Sequence, residues 1–280
     1  EIDSIPDWIG DLNNLETLIL PRNKLLFISP SIGKLKKLKD LSLGDNQLRN
    51  LPEEIGDLNS LEILELNENE LVRIPESVTR LKNLQGLYLN NNQLLKLPDN
   101  IGLLQKLETL QLGVNKLKNL PYSIQHLNRL DHIGLENNPE LVFDSDLRLP
   151  ASLTQISLEK LNITEFPDCL QPCIKLERIE LTATRIENIP DWFARFTKLS
   201  WLILDDNQIK SVPAFMEKFV SLEILRLSGN QLDTIPAGLF LLPKLRGLSI
   251  GENPGTHIPA SIASSTSLEW WNMYGTAAPY

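Results

Sequence analysis

The chain has 280 residues, of which 36 are acidic and 27 are basic, and its formal net charge at pH 7 is −9. An acidic surface repels phosphate backbones and anionic lipid headgroups, so this composition argues against a nucleic-acid or anionic-membrane partner. No apolar run approaches the roughly 20 residues that a membrane-spanning helix needs, so no membrane insertion is expected.

A nine-residue segment recurs along the chain in the pattern L-x-x-L-x-L-x-x-N. It begins at Leu15 as LETLILPRN and returns as LKDLSLGDN, LEILELNEN, LQGLYLNNN, LETLQLGVN and LDHIGLENN. Each copy begins 23 residues after the previous one, and this step continues to Leu268, which makes twelve starts without insertion or deletion. The alternation of leucine with variable residues predicts a short strand in each copy, with the leucines inward and the variable side chains outward.

The second half of each repeat is equally regular. It reads N-x-L-x-x-L-P-x-x-I-G-x-L, as in NQLRNLPEEIGDL from Asn46 to Leu58. The recurrent proline fixes φ and cannot donate, so an extended stretch followed by a single 3-10 turn is expected. The recurrent asparagine can satisfy backbone groups where the sheet ends. A column of buried asparagines is therefore predicted at Asn23, Asn46, Asn69, Asn92, Asn115, Asn138, Asn207, Asn230 and Asn253.

Together the two halves resemble the 23-residue, Ras-group leucine-rich repeats of plant intracellular and bacterial proteins and of animal scaffolds such as Scribble. The resemblance covers essentially the whole chain. It implies an α/β solenoid, the leucine-rich repeat horseshoe, with a concave parallel β-sheet and short 3-10 or helical turns on the convex side. Because one repeat cannot bury its own leucines, residues 1–280 are predicted to form a single solenoid of about twelve repeats.

The repeat pattern is irregular at about residues 139–161. Glu140 stands where the pattern has leucine, Asp144 replaces the recurrent proline, and Leu161 replaces the asparagine, as Thr184 does one repeat later. The starts on both sides remain 23 residues apart, so we interpret the stretch as a local repacking within the solenoid. The alternative is a functional kink, or an exposed loop around residues 144–146 that a partner recognises.

The sequence contains no pattern typical of catalysis or metal binding. Its three histidines, His126, His132 and His257, fall in different parts of different repeats, and no cysteine joins His132 at an outward strand position. The glycines recur because the repeat recurs, and they form no phosphate-binding loop. Because the repeats occupy the whole chain, neither a catalytic domain nor a cofactor is predicted within it.

Side chains at the outward positions of the strands do not pack in the core, so their chemical character indicates function and not folding. Two tryptophans and two isoleucines at such positions are not explained by solvation. A partner-binding patch is predicted on the C-terminal half of the sheet, formed by Trp201, Ile203, Ile224, Arg226, Trp270, Asn272, Asp205 and Arg178. Because Ile224, Gly247 and Trp270 hold equivalent positions in successive strands, a notch with Gly247 as its floor is expected between the two larger side chains.

The sequence thus predicts a protein-binding module that presents its concave face to a protein or peptide and is not itself an enzyme. A secondary candidate surface surrounds Glu65 and Tyr88. Two alternatives stay open: the recognition domain of a larger bacterial effector or enzyme, and a glycan-binding surface. The chain is expected to be monomeric. Its two cysteines and the lack of cysteine-rich caps argue against an animal extracellular domain and favour the cytoplasm or bacterial secretion.

Overall fold

The computed structural model describes residues 2–276. Its internal contacts divide the chain into two compact units, Glu1–Leu153 and Thr154–Tyr280. Both units are built from the same repeating element, in which a three-residue strand is followed by a turn and, in most repeats, by a short 3-10 helix. That the whole chain forms a single solenoid stays a prediction.

The first unit contains one parallel sheet and a smaller two-stranded one. The main sheet consists, in order, of β2 (Thr17–Ile19), β4 (Asp40–Ser42), β5 (Ile63–Glu65), β6 (Gly86–Tyr88), β7 (Thr109–Gln111) and β8 (His132–Gly134). The smaller sheet pairs β1 (Ser4–Ile5) with β3 (Phe27–Ile28). The 3-10 helices are η1 (Asp7–Asp11), η2 (Pro30–Lys34), η3 (Glu53–Asp57), η4 (Glu76–Arg80), η5 (Ile101–Leu103) and η6 (Tyr122–His126).

The second unit repeats this arrangement. Its parallel sheet consists, in order, of β9 (Gln155–Ser157), β10 (Arg178–Glu180), β11 (Trp201–Ile203), β12 (Ile224–Arg226), β13 (Gly247–Ser249) and β14 (Trp270–Asn272). The 3-10 helices are η7 (Asp168–Leu170), η8 (Asp191–Arg195), η9 (Ala214–Lys218), η10 (Ala237–Leu241) and η11 (Ala260–Ser264). In both units residues 23 positions apart are paired across the sheet, so each column of the sequence pattern becomes a row of side chains.

The leucines of the pattern form the core, as predicted. The central strand residues Leu64 and Leu87 are fully buried, and so is Ile55 in η3. Burial of these side chains stabilises each repeat only when its neighbours are in place, because the apolar side chains of adjacent repeats cover one another. In the second unit the largest fully buried side chains are Phe193, Phe196, Phe219 and Phe240.

The predicted column of asparagines is confirmed. Asn23 is half-buried and the other eight are buried. Asn69 represents them: its Oδ1 accepts from the Leu48 amide at 2.9 Å, and its Nδ2 donates to the carbonyls of Leu43 at 2.9 Å and Leu66 at 3.1 Å. Each such side chain therefore connects its own repeat to the preceding one. Thr184 keeps part of this function through its hydroxyl, which contacts Asn207 Oδ1 and the carbonyl of Leu181.

The irregular stretch retains its apolar contacts while losing its regular elements. Residues 135–153 of the first unit contain neither a strand nor a 3-10 helix. Leu141, Leu147 and Leu149 are nevertheless buried, so they contribute to the core of that unit. Residues 144–146 are exposed, and the Tyr122 hydroxyl donates to Asp144 Oδ2 at 3.3 Å.

Replacing Gly102 with alanine is expected to destabilise the first unit by about 2 kcal/mol. A Cβ atom on Gly102 would lie 2.1 Å from the backbone oxygen of Ser123, so the backbone of one of two stacked repeats must move. Urea denaturation measures the change. Gly255→Ala is the control, because the nearest atom to its added Cβ lies at 3.9 Å. Equal losses of stability in the two variants would contradict the expected backbone clash.

Candidate partner-binding surface

Seven of the eight predicted patch residues lie in two rows across the sheet of the second unit, and the eighth, Asp205, follows β11 (Trp201–Ile203). The first row contains, in order, Arg178, Trp201, Ile224, Gly247 and Trp270. The second row contains Glu180, Ile203, Arg226, Ser249 and Asn272. Neighbours within a row lie on adjacent strands, about 4.8 Å apart. Parallel pairing in constant register thus brings side chains from five repeats onto one surface.

The notch predicted over Gly247 does not exist. A Cβ atom on Gly247 would lie 2.3 Å from Cζ2 of Trp270 and 2.6 Å from Cδ1 of Ile224. The indole of Trp270 therefore lies over the glycine and against Ile224, where it fills the space left by the missing side chain. The prediction was wrong because a strand pattern gives the direction of a side chain but not the rotamer of its neighbours.

The two isoleucines expose less surface than predicted. Ile203 is 9% exposed and Ile224 is 6% exposed, whereas Trp201 is half-buried and Trp270 is 43% exposed. Ile224 is covered because a tryptophan stands on each side of it in the row, with Gly247 between it and Trp270. The accessible apolar surface of the patch therefore belongs to the tryptophans, while the isoleucines support them from within the sheet.

Trp201 is held in place by its neighbour in the row. The guanidinium of Arg178 lies over the indole, with Cζ at 4.5 Å from the ring centroid. Nε of Arg178 also donates to Glu180 Oε1 at 2.6 Å, so a carboxylate orients the cation. A cation over an aromatic face is attracted by the ring quadrupole. The contact restricts Trp201 to one orientation, which lowers the entropy that a partner must remove on binding.

Asp205 is the most buried charged residue of the patch, with 4% of its surface exposed. Its Oδ1 accepts from the Ser228 amide at 2.8 Å. Nε of Arg226 lies 2.6 Å from Oδ2, so the two side chains form an ion pair. Burial raises the pKa of Asp205 above its usual value, although the Ser228 amide and the Arg226 guanidinium act in the opposite direction.

The variant Asp205→Asn is expected to be at least as stable as the wild type at pH 7. The pKa of Asp205 is raised in the folded chain, so its ionised form destabilises the native state above that pKa. This effect disappears as the pH falls through the folded pKa towards the unfolded value. Asparagine keeps an oxygen for the Ser228 amide and carries no charge. Urea denaturation across this pH range should show the variant's advantage shrinking at low pH, and a large loss of stability at pH 7 would contradict the expectation.

The surface beside Asp205 forms a depression of about 500 Å³. Four predicted residues line it: Arg178, Ile203, Asp205 and Arg226. The other four predicted residues are not part of its lining: Trp201, Ile224, Trp270 and Asn272. Six further lining residues were not assigned to the patch from the sequence: Glu159, Glu180, Thr182, Asp206, Ser228 and Glu252. All but Glu180 follow the strand, at the seventh and eighth positions of the repeat, so extending the pattern beyond the strand would have found them.

The secondary candidate lies on the sheet of the first unit. Glu65 and Tyr88 are paired in register and half-buried. The Ser42 hydroxyl donates to Glu65 Oε2 at 2.6 Å. Burial raises the pKa of Asp40, and the Glu65 carboxylate raises it further. The Tyr88 ring lies over Gly86, where an added Cβ would be 2.8 Å from Cε2. This surface combines crowded carboxylates with one aromatic ring.

Metal-binding and membrane-spanning features were sought in the described part of the chain. Among residues 2–276, no three or more His, Cys, Asp or Glu side chains are grouped so as to hold a metal ion. None of the described helices has the length and apolar character required to cross a bilayer.

Family models for leucine-rich repeats match three parts of the chain. A model described as a leucine-rich repeat region matches residues 27–96, and two models described as leucine-rich repeats match residues 82–139 and 221–242. No curated protein sequence matches the chain. The matched segments show the repeat type in general, and the assignment to the Ras-group subtype stays a prediction.

Solved structures with the same fold come from several sources. A leucine-rich repeat protein of Leptospira interrogans is 28% identical, with a TM-score of 0.59 over 96% of this chain and 81% of that one. The ectodomain of the Arabidopsis thaliana receptor kinase GASSHO1/SCHENGEN3, solved in complex with CASPARIAN STRIP INTEGRITY FACTOR 2, is 28% identical, with a TM-score of 0.73 over 98% and 37% of the two chains. The PEPR1–AtPEP1 structure is 29% identical, with a TM-score of 0.79 over 98% and 40%.

These similarities confirm the predicted solenoid fold. The leucine-rich repeat domain of APL1B supports the fold alone, with 21% identity and a TM-score of 0.80 over 98% of this chain and 79% of that one. The chain spans about two-fifths of the length of the GASSHO1/SCHENGEN3 and PEPR1 chains.

Proposed function

Because this chain is a leucine-rich repeat protein, we propose that it is a binding module that presents the outward sheet face of its second unit to a protein or peptide. The observation that carries the proposal is Trp201, which is half-buried and held under the Arg178 guanidinium. Trp270 lies three strands further along the same row and exposes 43% of its surface. Tryptophan and arginine in well-packed positions are the residues that contribute most to the energy of protein interfaces.

Two of the similar structures support a partner-binding role. The GASSHO1/SCHENGEN3 ectodomain was solved in complex with CASPARIAN STRIP INTEGRITY FACTOR 2, and PEPR1 was solved with AtPEP1. Each shares more than a quarter of its aligned residues with this chain. In this chain, the outward face of the sheet presents several parallel rows of side chains to an extended partner.

The repeat family consists typically of non-enzymatic binding scaffolds, and we propose that this chain has no catalytic activity of its own. The recognition domain of a larger effector or enzyme would use the same sheet face and differ only in what else the natural protein carries. A glycan-binding surface would use Trp201 and Trp270 for stacking on sugar rings. In this chain, however, the Arg178 guanidinium covers one face of Trp201, so that face is not available for stacking on a sugar ring.

Selection from a displayed random peptide library tests the proposal. The chain is immobilised, enriched peptides are synthesised, and their binding sites are mapped by hydrogen–deuterium exchange. We expect protection of backbone amides in β11 and β12, at residues 201–226. A glycan array is probed in parallel. Failure to enrich any peptide, or strong binding to a glycan without peptide binding, would overturn the proposal, and protection confined to residues 65–88 would move the site to the first unit.

A further inference from the structure

The extended stretch that follows each asparagine of the column has a distinctive composition in the first unit. If the first leucine of L-x-x-L-x-L-x-x-N is position one, the stretch covers positions ten to thirteen, and position eleven is a buried leucine such as Leu71 or Leu94. In the five repeats that begin at Leu15 to Leu107, positions ten, twelve and thirteen form a surface that we call the basic flank. Its fifteen positions carry one acidic residue, Glu70, and six basic ones: Lys24, Arg49, Arg73, Lys96, Lys116 and Lys118.

The basic flank also exposes large apolar side chains. Leu26, Phe27, Val72 and Leu95 belong to it, and each exposes between 43% and 59% of its surface. Single exposed apolar residues are common on protein surfaces, but several of them on one surface, with polar side chains around them, mark an interaction site. The basic flank therefore offers a partner both positive charge and apolar contact.

The repeat pattern does not require this composition. In the second unit, the five repeats that begin at Leu153 to Leu245 carry two basic and three acidic residues at the same positions, and no Leu, Ile, Val, Met, Phe, Tyr or Trp. Both units are nevertheless built from strands and 3-10 helices in the same succession. A composition that one unit has and the other folds without is not explained by the fold, so it indicates a function of the first unit.

Backbone hydrogen bonds align the basic flank from repeat to repeat. The Gln93 amide donates to the Leu71 carbonyl at 2.9 Å, and the Leu95 amide donates to the Val72 carbonyl at 3.3 Å. Extended backbones joined in this way lie about 4.8 Å apart, as neighbouring strands do. Side chains from successive repeats therefore form rows here too, and position twelve gives the row Leu26, Arg49, Val72, Leu95 and Lys118.

The centre of the basic flank consists of two adjacent repeats in which an apolar side chain precedes a cation. One repeat contributes Val72 and Arg73, the next contributes Leu95 and Lys96, and all four side chains are exposed. The two apolar residues are one repeat apart, and so are the two cations. This arrangement matches a partner that carries both carboxylates and apolar side chains.

The two central cations have no counter-ion within the chain. In the region that the structure describes, Arg73 and Lys96 form no ion pair and no side-chain hydrogen bond. Arg49 in the same flank, by contrast, pairs with Glu70 at 2.9 Å. Like charges on neighbouring repeats repel each other, and a carboxylate supplied by a partner offsets that repulsion.

We propose that the basic flank of the first unit is a second interaction surface, and that its partner is an acidic protein segment with interspersed apolar side chains. Carboxylates of the segment pair with Arg73 and Lys96, and its apolar side chains cover Val72 and Leu95. Burial of the apolar contacts supplies affinity, while the charges favour acidic segments over neutral or basic ones.

A bilayer or a nucleic acid fits this surface less well. The sheet side of the same unit is acidic: in the repeats that begin at Leu15 to Leu130, positions two, three, five, seven and eight carry nine acidic and two basic residues. Positions seven and eight come directly before the asparagine that precedes the basic flank. A broad anionic surface would approach those carboxylates and be repelled by them. A single protein segment is narrow enough to lie along the flank alone.

The inference goes beyond the proposed function and does not depend on it, because the basic flank lies on the first unit and Trp201 on the second. To test it, a displayed random peptide library is first depleted on the double variant Arg73→Gln/Lys96→Gln and then selected on the wild type. The matched control is Arg185→Gln/Lys210→Gln. It makes the same change of charge at exposed positions ten and twelve of the second unit.

We expect the enriched peptides to contain an excess of Asp and Glu together with Leu, Ile or Phe. The affinity of the tightest peptide should fall about tenfold for Arg73→Gln/Lys96→Gln, which removes two exposed ion pairs. It should fall about fivefold for Leu95→Gln, which removes apolar contact, and further when the salt concentration is raised. The control double variant and Trp201→Ala should bind like the wild type, and thermal melts of all variants verify folding.

Other results would overturn the inference. Enriched peptides without an acidic excess, or equal losses in the two double variants, would show that the basic flank does not select its partner by charge. An unchanged affinity for Leu95→Gln would remove the apolar half of the surface. Vesicles of phosphatidylserine and phosphatidylcholine are tested in parallel. Binding of these vesicles that Arg73→Gln/Lys96→Gln abolishes, without any enriched peptide, would make the partner a membrane.

The same selection separates this inference from the proposed function. Peptides that depend on Trp201 but not on Arg73 and Lys96 would support the proposed function and overturn the inference. Acidic peptides that depend on Arg73 and Lys96, in a selection where no peptide depends on Trp201, would support the inference and count against the proposed function.

Discussion

Replacing Asn92 with alanine is expected to lower the free energy of unfolding by about 3 kcal/mol. The side chain is 8% exposed, and its Nδ2 donates to the carbonyls of Leu66 at 2.9 Å and Leu89 at 3.0 Å. Its Oδ1 accepts from the Leu71 amide at 2.9 Å. Alanine leaves the Leu71 amide without a partner, and an unsatisfied buried group costs roughly 1–3 kcal/mol. It also removes one hydrogen bond from each carbonyl, although the Leu66 carbonyl still accepts from Asn69 and the Leu89 carbonyl from Asn115. The cost of the stranded amide and of the two lost hydrogen bonds to carbonyls together gives the value expected.

Chemical denaturation of the wild type and the variant measures this difference. Asn23→Ala is the matched control, because Asn23 makes the same kinds of hydrogen bond, accepting from the Ile2 amide and donating to the Leu20 carbonyl. It is only half-buried, so water can replace part of its hydrogen bonds and a loss of about 1 kcal/mol is expected. An unchanged denaturation midpoint for Asn92→Ala, or equal losses in the two variants, would contradict a stabilising role for the buried asparagines.

Replacing Trp201 with alanine is expected to weaken partner binding by about 2–3 kcal/mol, which is roughly 30- to 150-fold in Kd. Trp201 combines the features of a residue that dominates an interface. It is large, half-buried, and restrained by the Arg178 guanidinium at 4.5 Å from its ring centroid. The substitution removes its apolar contact with the partner and also frees Arg178. The affinity is measured by calorimetry with a peptide enriched on the wild-type chain.

The control is Trp8→Ala, which removes an equally large side chain that is 61% exposed on η1 of the first unit. It should leave the affinity unchanged. A thermal melt of each variant distinguishes a loss of binding from a loss of folding. If Trp201→Ala binds like the wild type, the partner does not use this patch, and Glu65 and Tyr88 on the first sheet become the next residues to replace.

The binding surface and the scaffold depend on each other in this fold. The rows of outward side chains keep their spacing because every strand is paired in register with the next. Buried asparagines such as Asn207 and Asn230 fix the turn that follows each strand, and Asp205 lies in one of these turns. Asp205 is thus positioned by backbone hydrogen bonds, including the one from Asn207 Nδ2 to its carbonyl.

The sequence by itself determined the repeating architecture. The leucine or isoleucine at position four must face inward, as Leu64 and Leu87 do, because the strand period of two leaves no other choice. The asparagine column followed from the need to satisfy backbone groups at strand ends, and Asn92 meets that need with four hydrogen bonds. Such positions are predictable because the same local rule applies in most of the repeats.

Only the tertiary structure decided the shape and charge environment of the candidate surface. Gly247 was expected to floor a notch, but the indole of Trp270 covers it, and Ile224 is buried although its position faces outward. Asp205 could be placed on the surface from the pattern, yet its carboxylate is held by Arg226 and Ser228 from the next repeat. A strand period specifies which way a side chain points. How large side chains from neighbouring repeats fold over one another is set by packing between residues 23 positions apart.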